Sequence, residues 1–210
     1  AAGKNVLGYD KTETKLTTEL QNEGISISFE DVVDEKFSEL NKENTLVIYT
    51  PAIKVLGILD YFNQNGFEVL KRAKVLGLIT ENTECISVAG THGKTTTSSL
   101  VAHLCKVANL PFSGFLGGIA ENYKSNFIYN GTKISVLEAD EYDRSFLNLS
   151  PDWAIVTSID ADHLDIYGDT ETIEQGFRDF ADLVPENDQL FVRKGVKIGR
   201  PCKTYAVNDE

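Results

Sequence analysis

CISVAGTHGKTT, residues Cys85 to Thr96, is the stretch on which the fold turns. Cys85–Ala89 is apolar or small throughout and reads as a buried strand. Gly90 and Gly93 bracket a turn, and Gly93–Ala108 reads as a helix, with Leu100, Leu104 and Val107 on its apolar face. Strand, glycine turn and helix together are the setting of a phosphate-binding loop. Glycines let backbone N–H groups face one anion, and the helix start adds unsatisfied donors and its dipole. The nucleotide-binding candidates are Gly90, Thr91, His92, Gly93, Lys94, Thr95 and Thr96. Lys94 is placed to reach the β/γ-phosphates, and the Thr95 hydroxyl to ligate Mg²⁺. The common form of the loop has a glycine four residues ahead of its Gly-Lys pair. Val88 stands there, and Gly90 makes the loop tighter. A plain helix start with threonine caps is the alternative reading.

Outward from the loop, two acidic segments follow strand-like runs. Glu138-Ala139-Asp140-Glu141-Tyr142-Asp143 follows Ile134–Leu137. A carboxylate at the end of a buried parallel strand lies at the carboxyl edge of the sheet, where open α/β folds bind ligands. Mg²⁺ takes hard oxygen ligands, one or two carboxylates beside phosphate oxygens, and Glu138 is the candidate. Asp160-Ala161-Asp162-His163-Leu164-Asp165 follows the strand Trp153–Ser158. Its carboxylates would set the tautomer of His163 and gather a second divalent ion. Gly117-Gly118 reads as a tight turn or as a close backbone approach to a ligand.

The rest of the chain alternates strand and helix. Lys4–Tyr9, Ile25–Phe29, Thr45–Tyr49 and Phe67–Leu70 read as strands. Thr14–Asn22, Val55–Asn65 and Arg72–Ile79 read as helices, with Leu16 and Leu20 four apart in the first. Beyond the loop, Thr172–Leu183 reads as a helix, and Gln189–Val192 and Thr204–Val207 as strands. This βαβ order predicts an α/β fold with mostly parallel, covered sheets. A short polar stretch, Glu81–Glu84, sets an expected boundary between domains 1–82 and 83–210.

The 210 residues carry a net charge of −12. That charge repels nucleic acid, so any phosphorylated ligand needs metal ions and backbone amides to offset it. Arg193, Lys194, Lys197, Arg200 and Lys203 read as a solvated edge. Cys85, Cys105 and Cys202 are too scattered for a disulfide framework or a zinc site and read as reduced thiols. No run approaches the length of a membrane span, and no signal or lipid motif is present, so a cytoplasmic address is expected. The chain has no methionine, and its natural N-terminus is expected to lie outside it.

Three motifs in order, GTHGKTT at 90–96, EADEYDRSF at 138–146 and SIDADHLDIYGD at 158–169, closely resemble the Mur ligase family of bacterial cell-wall synthesis. The resemblance implies a Rossmann-like, UDP-substrate-binding domain over 1–82, without its opening glycine loop. It implies most of a central P-loop ATPase domain over 83–210, with the family's C-terminal domain outside the chain. By itself such a chain is expected to bind nucleotide weakly and not to turn over. The implied activity is ATP-dependent amide formation between the carboxylate of UDP-N-acetylmuramate and L-alanine, through an acyl phosphate. Lys94, Glu138 and His163 match the family's catalytic positions, and Thr95, Glu138 and His163 its metal ligands, with Asp162 and Asp165 behind them. Asp10, Thr50, Arg72, Gly117 and Gly118 are the substrate-binding candidates. Several relatives carry a carbamylated lysine after the DHLD segment; Thr170–Val184 has no lysine, so that feature is not carried over.

Three other readings are weighed. A family member that attaches a preformed tripeptide to the same muramic acid shares the loop and the EADEYD segment. A non-catalytic P-loop nucleotide-binding module would not need the two acidic segments. A dinucleotide-dependent oxidoreductase would need a G-x-G-x-x-G turn, which this chain lacks.

Overall fold

The computed structural model describes residues 3–50, 55–160 and 170–206. The chain forms two compact units, Ala1–Arg72 and Ala73–Glu210.

The first unit consists of two parallel strand pairs. β1 (Leu7–Tyr9) pairs with β2 (Ser26–Ser28), and β3 (Leu46–Tyr49) pairs with β4 (Glu68–Lys71). α1 (Lys15–Asn22) joins the first pair, and α3 (Gly57–Gln64) joins the second. A four-residue α2 (Glu35–Ser38), which no sequence pattern announced, lies between them. Thr14 and Thr17 form a reciprocal capping box at the start of α1, each satisfying a backbone N–H of the other. The Asp31 carboxylate accepts from the N–H groups of Gly57 and Ile58 at 2.7 and 2.9 Å and so caps α3 across a long sequence separation. Phe37, Ile58 and Phe62 make the core of this unit, with Phe62 edge-on to Phe37 and Phe67.

The second unit is built on a seven-stranded sheet of order β11-β10-β9-β5-β8-β6-β7. Its strands are β5 (Glu84–Ala89), β6 (Phe112–Ala120), β7 (Ser125–Tyr129), β8 (Ile134–Glu138), β9 (Trp153–Val156), β10 (Leu190–Arg193) and β11 (Lys203–Tyr205). All neighbours are parallel except β6 and β7, which pair antiparallel. β7 is not legible as a strand in the sequence: its apolar residues alternate only weakly with polar ones, and it borders one strand alone. α5 (Lys94–Val107) and α6 (Thr170–Asp182) cover the sheet. Val136 belongs to the core beneath α5 and its neighbour Leu137 to the core containing Phe177 and Phe180 of α6. Successive strand residues point to opposite faces, so the two helices lie on opposite sides.

The division of the chain falls ahead of the polar stretch read as the boundary. α4 (Arg72–Thr80) packs almost wholly with the second unit. Leu76 joins its larger core, and the Thr80 hydroxyl accepts from the N–H of Ser150 at 2.9 Å. Gly77 lies against the Asn148 carbonyl, where a Cβ would overlap it.

Two helix faces differ from their apolar spacing. Leu100, Leu104 and Val107 are exposed, and α5 buries Ser98, Ala102 and Cys105 instead. Leu16 of α1 is exposed while Thr17 is buried. Small residues let α5 approach the sheet closely: a Cβ built on Gly114 of β6 would stand 3.4 Å from Ala102 Cβ.

Candidate active site

β5 lies between β8 and β9, so the chain crosses from one side of β5 to the other after β8. Such a switch point leaves a crevice at the carboxyl ends of the strands. Val88 is in register with Glu138, and Ala89 with Val156. The register brings the loop after β5, the end of β8 and residues 157–160 after β9 to one edge.

The loop Gly90–Gly93 is braced against β9. Gly90 has φ +141°, and any Cβ there would overlap the Thr157 hydroxyl. The N–H of Thr91 donates to the Ser158 carbonyl at 3.0 Å, and the N–H of His92 to Ser158 Oγ at 2.9 Å. The buried Thr91 hydroxyl lies 2.8 Å from Ser158 Oγ and accepts from the N–H of Asp160 at 3.1 Å. Thr157 Oγ1 donates to the His92 carbonyl. These bonds divide the predicted nucleotide-binding set. Thr91 and His92 spend their amides on the protein, and Gly90 supplies the close approach. Gly93, in the left-handed region at φ +79°, starts α5 and brings Lys94, Thr95 and Thr96 into its first turn. First-turn N–H groups have no partner within the helix, so the anion-facing donors belong to this end of the loop. The His92 ring is exposed, 3.9 Å from Asp160.

Lys94 Nζ donates to the Gly90 carbonyl at 2.6 Å and meets both oxygens of Glu141, at 2.8 and 3.0 Å. Both side chains are largely buried, at 14% and 7% exposure. Glu141 was not singled out from the sequence. It sits among four acidic residues in six, and nothing in that run tells which carboxylate faces the lysine.

Glu138 ends β8 half-buried, and its Oε2 accepts from the N–H of Gly117 at 2.9 Å. A Cβ on Gly117 would overlap this carboxylate, and one on Gly118 would stand 3.3 Å from Thr95 Cγ2. Gly117 and Gly118 therefore form no turn. They are part of β6, whose backbone runs close to Glu138 and Thr95. Two hard oxygen donors bordering a cradle that only glycine leaves open fit a divalent cation. Among the described residues no three His, Cys, Asp or Glu side chains form a metal-binding group. His163, Asp162 and Asp165 lie outside the described residues.

Asp10, Thr50 and Arg72 each follow the carboxyl end of a parallel strand in the first unit: β1, β3 and β4. Asp10 and Arg72 are exposed and Thr50 half-buried. Asp10 Oδ1 accepts from the N–H of Thr12 at 2.9 Å. Among the described residues no hydrogen bond or ion pair joins these three side chains to one another.

Beneath the loop, Cys85 is fully buried in β5, its Sγ 3.2 Å from Ser87 Oγ. Burial pushes its thiol up to about 11, so it is an inert core residue at neutral pH.

The fold is that of an α/β protein of one family: residues 88–208 match the Mur ligase middle domain, and the chain belongs to the Mur ligase family. It is 52% identical over 211 residues to the UDP-N-acetylmuramate–L-alanine ligase of Flavobacterium psychrophilum, a match covering 99% of this chain and 46% of that protein. The chain thus spans about half the length of the curated relatives it matches. Among solved structures, it is similar to UDP-N-acetylmuramate-alanine ligase from Thermotoga maritima, with a TM-score of 0.76 and 25% identity over 94% of this chain and 45% of that one. The fold is shared equally with a UDP-N-acetylmuramate:L-alanyl-γ-D-glutamyl-meso-diaminopimelate ligase from Neisseria meningitides. That match has a TM-score of 0.80 and 23% identity over 97% of this chain and 70% of that one.

Proposed function

We propose that this chain is the UDP-substrate-binding and ATP-binding portion of a ligase that joins L-alanine to the carboxylate of UDP-N-acetylmuramate. The observation that carries the reading is the convergence of Lys94, Thr95 and Glu138 on one edge of the sheet, the first two in the opening turn of a helix. The names of the relatives support the substrate pair. On this reading the second unit binds ATP, and the first binds the UDP part of the substrate through the strand ends at Asp10, Thr50 and Arg72. The cytoplasm, where nucleotide substrates are made, is the compartment we assign. Among the described residues no helix is long and apolar enough to cross a membrane.

The chemistry has two steps. The substrate carboxylate attacks the γ-phosphorus of ATP; the P–O bond to the β-phosphate breaks, giving an acyl phosphate and ADP. The amine of L-alanine then attacks the acyl carbon, loses a proton and expels phosphate, leaving the amide. Both steps crowd anions together, so the protein's task is neutralisation and alignment rather than covalent catalysis. Lys94 and the first-turn amides of α5 hold the β/γ-phosphates. Thr95 and Glu138 would hold Mg²⁺, with His163 the expected ligand of a second ion. Bound there, Mg²⁺ would act as a Lewis acid on the phosphate oxygens. Gly117 and Gly118 keep β6 from filling this space.

The test is phosphate release with UDP-N-acetylmuramate, ATP and Mg²⁺, supplied with L-alanine or with L-Ala-D-Glu-meso-diaminopimelate. Release that depends on L-alanine is expected. Release with the tripeptide alone would make the protein a tripeptide-attaching ligase. ATP binding without release in either case would favour a non-catalytic nucleotide-binding module.

A further inference from the structure

We propose that Glu141 is a counter-ion latch on Lys94, displaced by the nucleotide's phosphates, and that it thereby sets nucleotide affinity. The inference rests on the nucleotide-binding reading above. An ammonium group has three donors. One goes to the Gly90 carbonyl at 2.6 Å and one to Glu141 Oε1 at 3.0 Å, and Glu141 Oε2 lies 2.8 Å from the same nitrogen as the other oxygen of the ion pair. The two kinds of acceptor differ in origin. Gly90 belongs to the same loop as Lys94, four residues before it. Glu141 comes from the segment after β8 and is fixed there independently. Its carbonyl accepts from the N–H of Arg144 at 2.9 Å. The preceding Asp140 accepts from the N–H of Tyr142 through its side chain and of Phe146 through its carbonyl. The backbone is held further by Arg144 in the left-handed region, φ +52°. A phosphate oxygen reaching Lys94 must therefore share or replace the Glu141 carboxylate, a group of its own sign in a largely buried setting. Like charge at that range costs affinity, and the cost is larger there than in open water. Lys94 remains the phosphate ligand; Glu141 is a positioning residue that acts through it.

Glu141→Gln separates charge from shape, because the amide keeps an oxygen that can accept from Lys94. The experiment measures ADP and AMP binding to the 210-residue chain and to this variant by titration calorimetry. ADP is expected to bind the variant about tenfold more tightly. AMP, which lacks the β-phosphate, is expected to bind both forms alike. A residue that only supported the fold would not raise affinity when replaced. In the unsubstituted chain, the ¹⁵Nζ resonance of Lys94 is expected to shift as ADP is added, a measurement that needs no variant to fold. Equal or weaker ADP binding by the variant, or a resonance that ADP does not move, would overturn the latch alone. Failure of ADP to bind either form would overturn the latch and the nucleotide-binding reading together.

Discussion

The two units share one local grammar, strand followed by helix followed by parallel strand, and reach different ends with it. Ala1–Arg72 forms two separate strand pairs over a core of Phe37, Ile58 and Phe62. Ala73–Glu210 forms one seven-stranded sheet with a core on each face. The strands of the first unit are half-buried or exposed, whereas β5 and β8 are buried over most of their length. The loops differ in the same way. Gly90–Gly93 is tied to Thr157, Ser158 and Asp160 by several hydrogen bonds, while Asp10 has one backbone bond to Ser28 and one side-chain bond within its own turn. A site for phosphate needs donors held in place before the ligand arrives, and Gly90–Gly93 is a loop held in that way.

Core truncation is expected to break this comparison most sharply. Phe62→Ala and Phe177→Ala should each cost about 3–5 kcal/mol. The first unit, at 72 residues, has a total stability of roughly 4–11 kcal/mol. Phe62→Ala should therefore unfold it or nearly so, while Phe177→Ala leaves the second unit folded. Hydrogen exchange resolved by segment reads both outcomes. Equal loss of protection in the two units would mean that they do not differ in reserve.

Lys94→Ala should reduce ADP affinity by more than about 100-fold, near 3 kcal/mol. It should also lower the melting temperature of the second unit, since Glu141 is left buried without its cation. Unchanged ADP affinity would remove the loop from the site.

Alkaline pH should weaken the second unit through Cys85 and Tyr205, both shifted upward chiefly by burial. Below pH 9 the Cys85 thiol keeps its proton folded or unfolded, and its contribution to stability is fully present. As pH rises through about 11 the unfolded chain has already ionised and that contribution is lost, roughly 2–3 kcal/mol. Chemical denaturation at pH 8 and pH 11 checks this, and Cys85→Ala should flatten the difference.

The smallest effect is at the α3 cap. Asp31→Ala should destabilise the first unit by about 1 kcal/mol and leave ADP binding untouched. A thermal melt and a binding titration suffice. A shift in ADP affinity would show that the two units are coupled.

Sequence by itself determined the α/β class, the phosphate-loop setting of Gly90–Thr96 and the place of Glu138 at a strand end. Each follows from interactions between near neighbours: apolar runs, glycine turns and a helix start. Only the tertiary structure decided which members of those motifs do what. It turned the amides of Thr91 and His92 toward Ser158, and it chose Glu141 from an acidic run as the partner of Lys94. It ran β6 straight through Gly117 and Gly118, against Glu138 and Thr95. It also buried Ser98, Ala102 and Cys105 rather than the leucines of α5, because a helix lying close on a sheet has room only for small side chains. These choices join residues tens of positions apart, and local periodicity carries no record of such distances.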